Sequence, residues 1–255
     1  MGFYGLFIYA LVGLTGGFIS GLAGIGGAII MIPMLLYVPP LFGLENLGIQ
    51  SISGITMFQV LVASGVGMLG HRKSNHVHPS LLKTMGSAIV AGSLTGALSS
   101  KYVGTNFLEG VFAVLALAAA VLMFLPRKES SSLEVEFNKP LAAAIAFVTG
   151  ILAGLVGAGG AFILIPLMLY VLKIPLRVTV GTSLAIVFFS SLAGVIGKLG
   201  VGQVPVVITL AVVLGVTPGA RLGSIISKRV PVRALHYLLA GLIGLSALKI
   251  WSGIF

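Results

Sequence analysis

A glycine-rich segment that ends in proline occurs twice in this chain. Residues 21–33 and 154–166 are identical at nine of thirteen positions, at an offset of 133 residues. Glycine permits backbone conformations that interrupt a helix, and proline removes a backbone donor. A short helix that begins at such a break directs its free N–H groups and positive dipole end at one point, which favours an anion. The glycines that we assign to a binding site on this basis are Gly24, Gly26, Gly27, Gly157, Gly159 and Gly160.

Polar side chains follow each break at a similar distance. They are Gln50 and Ser51 after the first break, and Thr182 and Ser183 after the second. Their amide and hydroxyl groups can bind the oxygens of an oxyanion, or the hydroxyls can bond back to helix carbonyls. Arg221 lies about two turns inside the end of a later apolar run, where a charge is costly unless it is paired or hydrated. We expect Arg221 either to attract an anion or to anchor its helix at the membrane interface.

Close helix packing is the alternative role for glycine in such a sequence. Gly17 and Gly21, like Gly150 and Gly154, have the four-residue spacing that lets two helix backbones approach each other. We assign packing to these two pairs, and a binding role to the Gly-x-Gly-Gly clusters that follow them.

The composition indicates that membrane helices position these residues. Of the 255 residues, 58% are hydrophobic and only 8% are charged, whereas a soluble domain carries about 25% charged residues. The formal net charge is +10, but the basic residues are scattered between apolar runs, which is typical of topology signals and not of nucleic-acid binding. The chain has no Cys and no Asp, so the general acids and bases of an enzyme are nearly absent. We expect no catalytic residue, no metal and no cofactor.

Apolar runs form two similar sets. They lie at about 3–23, 27–38, 46–70, 79–100 and 106–125, and again at about 140–156, 160–171, 177–197, 203–227 and 232–253. A helix needs about 20 apolar residues to cross a bilayer, so the second run of each set is too short. The predicted fold is an all-α polytopic membrane protein with two repeats, residues 1–125 and 141–255, joined by a polar cytoplasmic linker at 126–140. Each repeat has four membrane-spanning helices plus one short half-helix after its Gly-rich break.

The distribution of basic residues predicts that the two repeats are inverted. In three pairs of equivalent loops, the basic loop of one repeat matches a loop of the other repeat with fewer basic residues or none. Basic loops stay on the cytoplasmic side, so equivalent loops lie on opposite sides of the membrane. The cytoplasmic side then collects Arg72, Lys73, Lys83, Arg127, Lys128, Lys139, Lys173, Arg177, Lys228, Arg229 and Arg233. The far side keeps Lys101, Lys198 and Lys249.

The duplicated Gly-x-x-Gly-x-Gly-Gly segment ending in Ile-Pro resembles the sulfite exporter TauE/SafE family. Gly181-Thr182-Ser183-Leu184 and Gly219-Ala220-Arg221-Leu222 add to this resemblance, which covers essentially the whole chain. It implies a multi-pass permease of a bacterial or archaeal inner membrane that carries small sulfur-containing anions such as sulfite or organosulfonates. The family's Thr-Ser pair is intact at Thr182-Ser183, whereas the first half reads Gln50-Ser51.

Other functions stay open at this point. They are a permease for another small ion or metabolite, a non-transporting membrane scaffold, and, least favoured, a membrane enzyme. No apolar run carries a carboxylate near its middle, which favours an anion over a cation as the substrate. We expect a small anion and the lipid bilayer as partners and no nucleic acid, while a homo-oligomer is neither predicted nor excluded.

Overall fold

The computed structural model describes residues 2–23, 27–70, 77–124 and 137–227. In chain order the helices are α1 (Phe3–Ala23), α2 (Ala28–Leu41), α3 (Ile49–Gly70), α4 (Pro79–Ser99), α5 (Thr105–Phe124), α6 (Lys139–Val156), α7 (Ala161–Pro166), α8 (Leu176–Gly200) and α9 (Val206–Ser227). A 3₁₀ turn (Ser100–Tyr102) follows α4, and a π-helical turn (Leu167–Val171) continues α7. The described part of the chain contains no strand, which confirms the predicted all-α fold.

Six helices of the described part are long and apolar enough to cross a membrane, namely α1, α3, α4, α6, α8 and α9. The 14 residues of α2 and the stretch Ala161–Val171 are too short to cross comfortably. The chain is therefore a multi-pass membrane protein in which a short second helix follows the first long one in each half. The last predicted run, 232–253, lies outside the described residues.

Two helices that follow loops have well-defined starts. His78 caps α4, because its Nδ1 accepts a hydrogen bond from the Leu81 N–H at 3.3 Å. Asn138 caps α6 in the same way, through Oδ1 and the Leu141 N–H at 3.1 Å. A proline occupies the first turn of both helices, where its missing donor costs nothing. These caps fix where the chain enters the bundle at the start of α4 and, after the linker, at the start of α6.

Two pairs of helices pack closely and in parallel through glycine. Along α1 and α9, Gly13, Gly17 and Gly21 face Val212, Val216 and Ala220 in turn. Along α4 and α6, Gly92 faces Phe147 and Gly96 faces Ile151. A Cβ at Gly17 would lie 2.7 Å from the Val216 carbonyl oxygen, and one at Gly150 would lie 2.6 Å from that of Ile89. The packing role predicted for the Gly17 and Gly150 pairs is therefore confirmed, since only small residues allow such backbone contact.

Helices α3 and α8, the longest of each half, run antiparallel at the centre of the bundle. Lys198 bonds to Ser53, while a Cβ at Gly67 would lie 3.4 Å from Leu184, so residue numbers rise on one helix as they fall on the other. The halves also interlock, because α4 packs on α6 and α8, and α9 packs on α1 and α3. The buried interior thus consists of segments from both halves.

Candidate functional site

The second glycine turn, Gly157–Gly160, is buried in the bundle. Gly157 ends α6 and Gly160 begins α7, both with a left-handed φ of 81°, which glycine adopts without strain. The Gly157 and Ala158 N–H groups both donate to the Ala153 carbonyl, at 2.8 and 2.9 Å. The chain therefore leaves α6 in a tight turn, as the glycine pattern predicts.

The first glycine turn is described only at Gly27, because Gly24 and Gly26 lie outside the described residues. Gly27 begins α2 with a left-handed φ of 67°, and its carbonyl accepts the Met31 N–H at 3.0 Å. Among the described residues, no side chain caps the first turn of α2 or of α7. Both short helices thus begin at a buried, left-handed glycine, and the first N–H groups of any helix have no partner within it.

Helix α3 carries a polar stripe that reaches both glycine turns. The buried residues Ser53, Thr56 and Gln59 recur every three positions along it, which places them on one face. Thr56 Oγ1 donates to the Gly157 carbonyl at 2.9 Å, and Gln59 Nε2 lies 3.1 Å from where a Cβ of Gly27 would be. The stripe therefore joins the two breaks through one helix, which the sequence pattern does not indicate.

Helix α8 presents hydroxyl groups from the opposite side. A Cβ at Gly159 would lie 3.7 Å from the Ser191 Cβ. The neighbouring Ser190 carbonyl accepts a hydrogen bond from Ser93 Oγ of α4 at 2.8 Å. Ser190 Oγ itself is buried and has no hydrogen-bond partner in the described structure. The second glycine turn is thus surrounded by neutral polar groups from both halves.

The structure does not bring the two predicted polar pairs together. Gln50 and Ser51 lie in the first turn of α3, and Thr182 and Ser183 lie near the start of α8. Because these helices are antiparallel, their first turns lie at opposite ends of the pair. The fourteen residue steps from Ser53 to Gly67 alone span about 21 Å.

Each predicted pair has contacts of its own. Gln50 Nε2 donates to the Val103 carbonyl at 3.3 Å, and Thr182 Oγ1 accepts from the His78 N–H at 3.0 Å. Ser183 Oγ lies 3.3 Å from the Val180 carbonyl, within its own helix. A ligand contact at any of these residues stays a prediction.

Arg221 lies on the outer surface of α9. It is exposed, whereas Gly219 and Gly223, on the opposite side of that helix, face α1. Exposed Leu222 and Ile225 lie beside it. The neighbouring Ala220 faces Gly21 of α1, shortly before the first glycine break, and a role of Arg221 in attracting an anion stays a prediction.

Lys198 is the charged residue that sequence analysis missed. The sequence pattern predicts Lys198 in a loop, because the predicted apolar run ends at residue 197. In the structure, α8 continues to Gly200 and Lys198 is fully buried. Its Nζ donates to Ser53 Oγ at 2.7 Å, to the Leu155 carbonyl at 3.0 Å and to Gln203 Oε1 at 2.9 Å. Leu155 comes two residues before the second glycine turn. The signal was the spacing of Ser190, Gly194 and Lys198, which repeats every four residues and places all three on one helix face.

Comparison with known proteins identifies the family. The family model described as "Sulfite exporter TauE/SafE" matches residues 9–250. A probable membrane transporter protein of Bacillus subtilis, YunE, is 26% identical over 97% of this chain and 98% of its own length. A second, YjnA, is 28% identical over 96% of each chain, and MJ0441 of Methanocaldococcus jannaschii is 24% identical over 93% of this chain and 92% of its own. No solved structure gives a significant match.

Proposed function

Because this chain belongs to the sulfite exporter TauE/SafE family, we propose that it is a secondary transporter of small sulfur-containing anions, such as sulfite or organosulfonates, in the cell inner membrane. The family and the relatives named as probable membrane transporters support transport across a membrane. The anion, the inner membrane and the mechanism of alternating access are our proposal. They rest on the geometry of the glycine turns.

The observation that carries this proposal is the matched start of two short helices inside the bundle. α2 begins at Gly27 and α7 begins at Gly160, both buried and left-handed. Irregular backbone at membrane depth is stable only where protein or a water-filled cavity satisfies it. Interrupted helices at equivalent positions of two halves are typical of the binding sites of transporters.

The direction of the central helices supports an inverted relation between the repeats. α3 and α8 are equivalent helices of the two halves, and they run antiparallel. In chain order, α1 corresponds to α6 and α4 corresponds to α9. The parallel pair α1–α9 of one half-to-half contact therefore corresponds to the parallel pair α6–α4 of the other. Two inverted halves can rock about a site between them, which gives alternating access.

The charges around the turns favour an anion. The described buried residues include Lys198 but no carboxylate, and the stripe on α3 is neutral. The two described glutamates, Glu45 and Glu109, are exposed and half-buried respectively. A cation carrier usually buries an acidic group in its pathway, so the interior is better suited to negative substrates.

The test is sulfite flux in proteoliposomes, with one glycine variant and a matched control. Gly160→Ala introduces a Cβ at a left-handed residue of the proposed site, and Gly202→Ala does the same in a loop with open space around it. The backbone strain of about 1–2 kcal/mol is common to both variants. We expect Gly160→Ala alone to reduce flux strongly. Equal flux in the two variants, or wild-type flux of cations but not of oxyanions, would contradict the proposal.

A further inference from the structure

The contacts of Lys198 match the three donors of an ammonium group. The Leu155 carbonyl and Gln203 Oε1 can only accept hydrogen bonds. Ser53 Oγ lies 2.7 Å from the Gln50 carbonyl, which takes its hydrogen, so Ser53 also accepts from Lys198. Three oxygens within 3.0 Å of Nζ correspond in number to the three N–H donors of the ammonium group.

This buried charge has no opposite charge beside it. Within the described part of the chain, no carboxylate lies within ion-pair distance of Lys198, and its three partners are neutral oxygens. Burying an ion without a counter-charge costs several kcal/mol, which neutral dipoles offset only in part. Among the described residues, the Lys198 ammonium group is thus a buried positive charge paired only with neutral oxygens.

Lys198 lies between segments of both halves of the chain. Its partners come from α3, from the end of α6 beside the second glycine turn, and from the loop between α8 and α9. Gln203 is only partly buried, and its Oε1 also bonds to Ser100 Oγ at 2.8 Å, so a neutral side chain covers Lys198 on the side of the loop between α8 and α9. The equivalent position in the first half is Val66, at the offset of 132 that relates Gln50 to Thr182. The charge thus occurs in one half only.

We propose that Lys198 is an anion-binding residue of this transporter. A small oxyanion replaces the oxygens of Gln203 and Ser53 on the ammonium group and supplies the missing negative charge. The inference rests on the proposed function and deepens it, because it names a residue that binds the charge of the substrate. Ser53 and Gln203 hold the ammonium group in place when no anion is bound.

The competing explanation is a purely structural lysine. Lys198 bonds to a carbonyl in the last turn of α6, where a positive charge also interacts favourably with the helix dipole. A structural lysine predicts that its loss destabilises the fold and leaves the affinity for anions unchanged. An anion-binding lysine predicts that a neutral residue of similar size weakens the binding of anions, whatever its effect on the fold.

The experiment measures sulfite binding to the purified full-length protein, as the shift of its thermal unfolding midpoint with sulfite concentration. The variants are Lys198→Gln, Lys198→Arg and a control, Lys101→Gln, which removes the same charge from an exposed residue. We expect Lys198→Gln to bind sulfite about 10- to 100-fold more weakly. Lys198→Arg retains the charge and is expected to bind sulfite more tightly than Lys198→Gln. The control Lys101→Gln is expected to bind sulfite with the affinity of the wild type.

A second variant tests the exchange directly and does not depend on the folding of Lys198→Gln. Gln203→Ala removes a neutral competitor for the ammonium group and is expected to tighten sulfite binding about two- to tenfold. Wild-type affinity in Lys198→Gln, or weakened binding in Gln203→Ala, would overturn the assignment while the proposed function stands. Absence of oxyanion binding and flux in the wild type would overturn both.

Discussion

Substitution of Gly17 by alanine tests the backbone contact between α1 and α9. The new Cβ would lie 2.7 Å from the Val216 carbonyl oxygen and 2.8 Å from its Cα, whereas ordinary contact begins at 3.4 Å. Because both neighbours are backbone atoms, the helices must separate locally by about 0.7 Å. A gap of that size loses between a quarter and a half of the dispersion energy of the contacts beside it. Overpacking of this kind costs about 1–3 kcal/mol.

The matched control is Gly110→Ala on α5, where a new Cβ meets nothing within 4 Å. Both variants gain the same helix propensity, so the difference between them isolates the packing term. At about 2–4 °C per kcal/mol for a chain of this size, we expect Gly17→Ala to unfold about 2–12 °C below Gly110→Ala. Circular dichroism at 222 nm during heating in detergent measures the difference. Equal midpoints would refute the close approach of α1 and α9.

Three further predictions concern the loops and the outer surface. Thr182→Val leaves the part-buried His78 N–H without its acceptor and should destabilise the protein by about 0.5–1.5 kcal/mol, whereas Thr182→Ser should retain stability in the same melting assay. Arg221→Gln should slow anion flux at low ionic strength, with the difference lost at high salt, because Arg221 is exposed and can act only through a screened field. Glu45→Cys and Lys173→Cys lie in the exposed loops that follow the short helix of each half, so inverted repeats predict that an impermeant thiol reagent labels them from opposite faces.

Sequence patterns predicted the helices because apolar length is a local property. The run predicted at 79–100 is found as α4, Pro79–Ser99, and the short run at 27–38 is found as α2, Ala28–Leu41. The second break was predicted from three glycines, and all three adopt left-handed φ values. Such features follow from the residues in each segment and need no information about neighbouring helices.

The sequence pattern was less informative about where a membrane helix ends. The sequence placed Lys198 just beyond an apolar run, because a charged residue normally marks the end of a membrane helix. Its burial depends on Ser53 and Leu155, which lie 145 and 43 residues away along the chain. No local pattern reports such distant partners.

By itself, the sequence determined that this chain crosses a membrane with long helices, that a glycine-rich segment ending in proline occurs twice, and that a short helix follows a glycine break in each half. Only the tertiary structure decided that α3 and α8 lie antiparallel, that the Gln50 and Thr182 pairs are far apart, and that Lys198 is buried beside the second glycine turn. The physical reason is that helix formation and bilayer crossing depend on neighbouring residues. The partners of a buried charge depend on how helices distant in sequence pack together.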